Sequence, residues 1–173
     1  MKEERLVLST RILSGVVDRA SWRNTLMFKF TSSFQAGIEY NPRVDEVGPL
    51  SNWRLLDETE TRPALILGTS SDRIGTPGGR AYYATLSKDL EAQTGWPIAP
   101  YLGAAYGTYE GNVKPVGGLN IRYTERLSST HLHDGKAIHH MLSWDFGMGK
   151  PTVGLLWVDH QHLGITASLG FSF

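Results

Sequence analysis

The last twelve residues, His162–Phe173, read H-L-G-I-T-A-S-L-G-F-S-F. Leu163, Ile165, Ala167, Leu169, Phe171 and Phe173 occupy one phase of this stretch. His162, Gly164, Thr166, Ser168, Gly170 and Ser172 occupy the other. Successive side chains on a strand point to opposite faces, so one face is wholly apolar and the other small and polar. Transmembrane β-barrels are built from such strands, roughly 9–11 residues long, with lipid outside and a polar lumen inside.

The rest of the chain repeats the pattern. About ten alternating segments can be traced by their period and by the turn residues between them. They run over 6–16, 25–31, 34–40, 53–68, 81–88, 98–109, 116–124, 137–147, 152–158 and 163–173. Thr31-Ser32-Ser33 is a hairpin turn between Thr25–Thr31 and Phe34–Tyr40. Asn41–Ser51, Thr69–Arg80 and Glu125–Lys136 read as loops and as the contact surface. Ser87–Gln93 and Asp18–Arg23 are candidate helical fragments.

Composition narrows the class. The 173 residues contain no cysteine, 19 glycines, 5 tryptophans and 7 tyrosines, which favours strands and turns over helices and excludes disulfides and thiolate metal sites. Formal net charge is zero, which argues against a nucleic-acid partner. No apolar run is long enough for a membrane helix, a test that barrel strands escape because only half their residues are apolar. Glu3, Glu4 and Arg11 interrupt any secretory signal pattern at the N-terminus, so no signal peptide is read there.

The polar phases carry Arg11, Lys29, Glu39, Arg122, His139, Ser143 and Asp145, a set expected to fill a narrow lumen by pairing. Gly103, Gly118, Gly154 and Gly164 are expected to make room for the long cations. The tryptophans at 22, 53, 96, 144 and 157 lie toward segment ends, where the aromatic girdles of a membrane barrel sit.

Two constellations invite chemistry. All six histidines fall between His131 and His162, but no three of them converge in the sequence. They are read as solvated loop residues, with no metal or cofactor site. His139, Ser143 and Asp145 share one strand face and suggest a hydrolase. His139 and Ser143 would stand about 13 Å apart along a strand, beyond hydrogen-bond reach, so polar lumen filling is the better reading.

Arg62–Thr76 reads R-P-A-L-I-L-G-T-S-S-D-R-I-G-T, followed by A-Y-Y-A-T-L-S-K at Ala81–Lys88. Together with Y-L-G-A-A-Y-G from Tyr101 and Gly117-Gly118-Leu119, this stretch resembles the barrel repeats of YjbH-like outer-membrane proteins. The resemblance covers roughly residues 24–124. It implies an outer-membrane barrel associated with exopolysaccharide production or export, and it brings no catalytic residues. The closing strand that ends in Phe173 resembles the C-termini that mark bacterial outer-membrane barrels for the assembly machinery.

These readings converge on one domain over residues 1–173: an all-β, antiparallel, up-and-down transmembrane barrel of about 8–10 strands. The expected location is the bacterial outer membrane, with a structural or export-accessory, porin-like and non-enzymatic role. The expected partners are outer-membrane lipid, the assembly machinery and polysaccharide. Arg11, Lys29, Glu39, Arg122, His139 and Asp145 form the expected lumen cluster. Leu163, Ile165, Ala167, Leu169, Phe171 and Phe173 form the expected lipid face. The alternative is a soluble barrel that turns Leu163, Ile165 and Leu169 inward around an apolar ligand. A lipid hydrolase of the outer membrane is the third reading.

Overall fold

The computed structural model describes residues 4–172. Twelve strands close into one barrel: β1 Leu6–Leu13, β2 Trp22–Lys29, β3 Phe34–Asn41, β4 Glu46–Leu56, β5 Ala64–Ser71, β6 Arg80–Ser87, β7 Ile98–Gly107, β8 Asn112–Arg122, β9 Leu127–His133, β10 Ile138–Asp145, β11 Thr152–Val158 and β12 His162–Phe171. Each strand pairs antiparallel with its sequence neighbours, and β1 closes on β12 through Leu8↔Leu169, Arg11↔Thr166 and Ile12↔Ile165. Closure leaves no strand edge, so backbone donors and acceptors are satisfied without water. Two single-turn helices, α1 Asp18–Ser21 and α2 Glu91–Thr94, lie in links at opposite ends. Among the described residues no helix is long and apolar enough to cross a membrane.

The strand count exceeds the eight to ten expected, for three local reasons. Asn41–Ser51 is mostly strand, with a tight turn at 42–45 where Asp45 adopts φ 50°. Its prolines and charges disguise the pairing of Ile38 with Pro49 and Glu39 with Gly48. The single segment over 53–68 is two strands, β4 and β5, separated by the polar link 57–63. Within Glu125–Lys136, β9 had no apolar phase to betray it: one side of the strand carries Leu127, Ser129, His131 and His133.

Register fixes the two faces. Starting from β12, the pairs Gly154↔Thr166, Ser143↔Gly154, Ser128↔Ser143 and Arg11↔Thr166 share the inner phase. The opposite phase is exposed and apolar, with Leu163 and Leu102 each 67 % accessible and Leu155 64 %. Leu163, Ile165, Ala167, Leu169 and Phe171 therefore face outward; Phe173 lies outside the described residues. The inward lining by Leu163, Ile165 and Leu169 that the ligand-binding alternative requires is corrected by this register. The few buried apolar side chains, Leu13, Leu156 and Val158, pack inside with Val16, Ile74 and Met141, near the end opposite the termini (the far end).

Two inward glycines set how tightly the wall coils. A Cβ on Gly37 would lie 1.9 Å from the Leu26 carbonyl oxygen, and one on Gly103 would lie 2.0 Å from that of Ala84. Both obstacles are backbone of the neighbouring strand and cannot rotate away. Gly37→Ala and Gly103→Ala are each expected to lower stability by about 1–3 kcal/mol, as overpacking does. Urea titration of the refolded barrel checks this.

Candidate functional site

Inside the barrel, toward its far end, lies Glu39 on β3, 1 % exposed. Its carboxylate accepts from Arg23 (Nη2–Oε2 2.6 Å, Nε–Oε2 2.8 Å) and from Arg80 (Nη1–Oε1 2.8 Å). A buried carboxylate is costly unless paired and hydrogen-bonded, and here both oxygens are engaged. Gly48 faces Glu39 across the β3–β4 ladder; a Cβ there would come within 2.1 Å of the Arg80 guanidinium. Arg11 pairs in register with Arg23, adding a third guanidinium to the same wall.

A fourth guanidinium closes the far end. Arg19, from α1, is 3 % exposed and donates to the carbonyls of Asp72 (3.1 Å), Arg73 (2.8 Å) and Thr76 (2.9 Å). It thereby fastens residues 72–79 between β5 and β6, with Thr76 1 % exposed. Burial pushes the Arg19 guanidinium below its ordinary value even though Glu39, Glu46 and Asp72 oppose the shift. The Asp72 carboxylate accepts from the amides of Arg73 (2.8 Å) and Tyr109 (3.1 Å), tying this loop to the next hairpin.

Beside this network lies a cavity of about 340 Å³, whose wall includes Ser70, Tyr83, Thr85, Tyr101, Lys114 and Asp134. Arg73 and Lys114 both bind Glu110 at its edge; the bonds from Lys114 and then Arg73 hold that carboxyl down at about 2. Across the lumen, His139 Nε2 meets Asp134 Oδ2 at 2.8 Å. Burial alone would raise the Asp134 carboxyl, but the bond from His139 and the amides of Ala137 and Lys136 hold it at about 2.

The six expected lumen residues all lie on the inner phase, but they are not one cluster. Glu39 sits in the arginine network, and His139 is engaged with Asp134. Arg122 lies at the terminal end of β8, where it bonds Glu91 of α2. Asp145 accepts from the Gly147 amide at 2.7 Å in its own hairpin, and Lys29 closes β2 at the same end. Arg19, Arg23, Arg80, Asp72 and Asp134 were missed because they lie in stretches read as links or loops. The expected role of the glycines also differs. Gly118 adjoins the Tyr101 ring and Gly164 the Leu13 side chain, whereas room for Arg80 comes from Gly48 and room for the Asp72 carboxylate from Gly107.

On the outer face, all five tryptophans are exposed. Trp22 and Trp157 lie toward the far end with Tyr40, Tyr82 and Tyr106; Trp53, Trp96 and Trp144 lie toward the terminal end with Phe34 and Phe171. Five of the six histidines lie in strands rather than in the loops expected, with His160 in a turn; His131 and His140 face each other in register on β9 and β10, on the outward phase. Among the described residues, no group of three or more His, Cys, Asp or Glu is arranged to hold a metal ion.

No protein-family model matches the sequence, and no curated protein matches it. Among solved structures, the fold is similar to that of a NanC porin in a rhombohedral crystal form. The TM-score is 0.58 at 12 % identity, over 97 % of this chain and 100 % of the other. The likeness is one of fold.

Two outcomes follow from the lumen contacts. Arg19→Ala should free residues 72–79, so that limited trypsin digestion of the refolded barrel cuts after Arg73 about tenfold faster or more, in keeping with loss of buried charge-assisted hydrogen bonds. Asp134, whose carboxyl is depressed, contributes stability that is present above its ordinary value near 3.8 and is lost as pH falls through about 2. The gap in urea midpoint between the unmutated chain and Asp134→Asn should therefore narrow between pH 5 and pH 2.

Proposed function

We propose that this chain is a bacterial outer-membrane barrel whose outer face contacts lipid, with a structural or export-accessory role carried by its filled, polar lumen. The carrying observation is the exposed apolar phase that recurs around the wall, with aromatic side chains toward both of its ends. In water such an area would drive association; in lipid it needs no cover. The similarity in fold to a porin supports the same setting. Zero net charge argues against a nucleic-acid partner. The closing strand through Phe171 is the segment offered to the barrel assembly machinery.

The finer role is anchoring of a polar, sugar-like polymer linked to exopolysaccharide export. Two features support it: the resemblance over Arg62–Lys88, and a cavity wall that presents Tyr83, Tyr101, Thr85, Lys114 and Asp134 to hydroxyl groups. Arg19 and residues 72–79 occupy the far end of the lumen, so the barrel is a filled one.

The test is a paired refolding from urea into plain buffer and into detergent micelles. A β-rich species whose gel mobility changes on heating should form in detergent alone. A monodisperse β-rich species in buffer overturns the membrane reading. Leu102→Arg sharpens the test: at a lipid-facing site near mid-strand it should cost about 2–4 kcal/mol, whereas at an exposed site in water it would cost within about 0.5 kcal/mol.

A further inference from the structure

The outer face of β8–β10 carries a row of polar side chains set within the apolar belt. Ser129 and His131 stand two apart on β9, both on the outward phase, and Ser129 Oγ lies 3.1 Å from His131 Nε2. His140 stands opposite His131 on β10, and their Nδ1 atoms are 2.7 Å apart. Tyr123, from the β8–β9 turn, places its hydroxyl 3.0 Å from Ser129 Oγ. Ser129 pairs in register with Ile121 on one side and Leu142 on the other, so the row is bordered by apolar side chains. Polar and ionisable groups at such depth are costly, and they persist where they have work to do.

The proton arrangement follows from the distances. Two ring nitrogens 2.7 Å apart hold one proton between them. With that proton on His131 Nδ1 and donated to His140, His131 Nε2 is left as an acceptor, and the Ser129 hydroxyl donates to it. This is the nucleophile, base and orienting group of a hydrolytic triad, with a histidine in the third place. The His140 ring is held in turn by Trp157 and His160, with centroids 6.0 and 5.2 Å away.

We propose that Ser129, His131 and His140 form a hydrolytic site for acyl esters of lipid presented at the outer wall of the barrel. Ser129 Oγ attacks the ester carbonyl carbon as its proton passes to His131 Nε2. The carbon–oxygen bond to the alcohol then breaks, and the alcohol leaves with that proton. Water attacks the acyl-serine, gives one proton to His131 and releases the carboxylic acid; His131 returns the proton to Ser129. Tyr123 covers Ser129, which is 5 % exposed, so the phenol turns from Oγ to the carbonyl oxygen of the entering ester. There it donates to the developing negative charge.

The lipid substrate class is argued from the surroundings. Leu127 and Leu142, which flank Ser129, also line an apolar groove of about 570 Å³ across the outer face, continued by Trp144, Val153, Leu155 and Ile165. A groove of that lining accepts an acyl chain whose carboxyl end reaches Ser129. The proposal rests on the lipid-facing reading of the outer wall.

The test uses the full chain refolded in detergent, with heat-dependent gel mobility as the folding control. A fluorophosphonate probe, read by peptide mass, should label Ser129. Phosphatidylcholine vesicles carrying the barrel should release fatty acid. Ser129→Ala should reduce both to background, and His131→Asn should reduce labelling about 10³-fold, as loss of a catalytic base does. His140→Asn, which removes only the orienting partner, should slow labelling about tenfold. Ser9→Ala, on the inner phase of β1 and away from the groove, should change neither. A folded, heat-modifiable barrel that leaves Ser129 unlabelled overturns the proposal on the unmutated chain alone, as does fatty-acid release that persists in folded Ser129→Ala. A chain that folds only in plain buffer removes the lipid-facing premise, an outcome seen in the gel before any probe is added.

Discussion

Everything in this barrel depends on the seam between β1 and β12. Until Leu6–Leu13 pairs with His162–Phe171, two strands present unpaired backbone groups, and in an apolar surrounding each such group costs several kcal/mol. The seam also sets phase. Arg11 meets Thr166 on the inside, and Ile12 meets Ile165 on the outside. A slip of one residue would turn Arg11 into the apolar belt and Ile12 into the lumen. Alternation in the last twelve residues therefore does more than label a strand. It specifies the register in which the chain can close.

Closure creates a lumen that must be filled, and the filling is electrostatic more than apolar. Glu39 is held by two arginines, while Arg11 and Arg19 lie close by, so the carboxylate is outnumbered. Arg19 finds its partners in backbone carbonyls rather than acids. That arrangement couples the surplus of positive charge to the position of residues 72–79. The loop is held at the far end because a buried guanidinium needs its carbonyls.

The all-β, antiparallel barrel was legible in the sequence because period-two alternation survives wherever one face meets an apolar surrounding. Strand bounds failed where that signal is weakest. Pro49 and Glu46 mask the start of β4, the projecting polar residues at 57–62 and Pro63 divide what reads as one interrupted segment into two strands, and Arg80 reads as loop because it opens β6 right after Gly78 and Gly79. The site was less legible for a related reason. Sequence shows which phase a residue occupies, but the ion pairs of Glu39 join β3 to β2 and, across the lumen, to β6. No local pattern carries that information.

The strand that escaped detection altogether is the instructive one. β9 was missed because its outward phase is Ser129, His131 and His133 where its neighbours offer Leu119, Ile121, Ile138 and Leu142. On the inner phase, His139 and Ser143 stand four residues apart on β10, too far for a nucleophile–base pair. On the outward phase the serine and histidine are two residues apart instead of four, and they meet at 3.1 Å. A polar outward phase weakens the strand signal and, for the same physical reason, marks the position: polar side chains set among apolar neighbours must satisfy one another. Tyr123, Ser129, His131 and His140 do so in an unbroken chain of hydrogen bonds. The departure from alternation and the candidate chemistry are thus one feature, and the break in pattern is the place to look for what a barrel wall can do besides hold its shape.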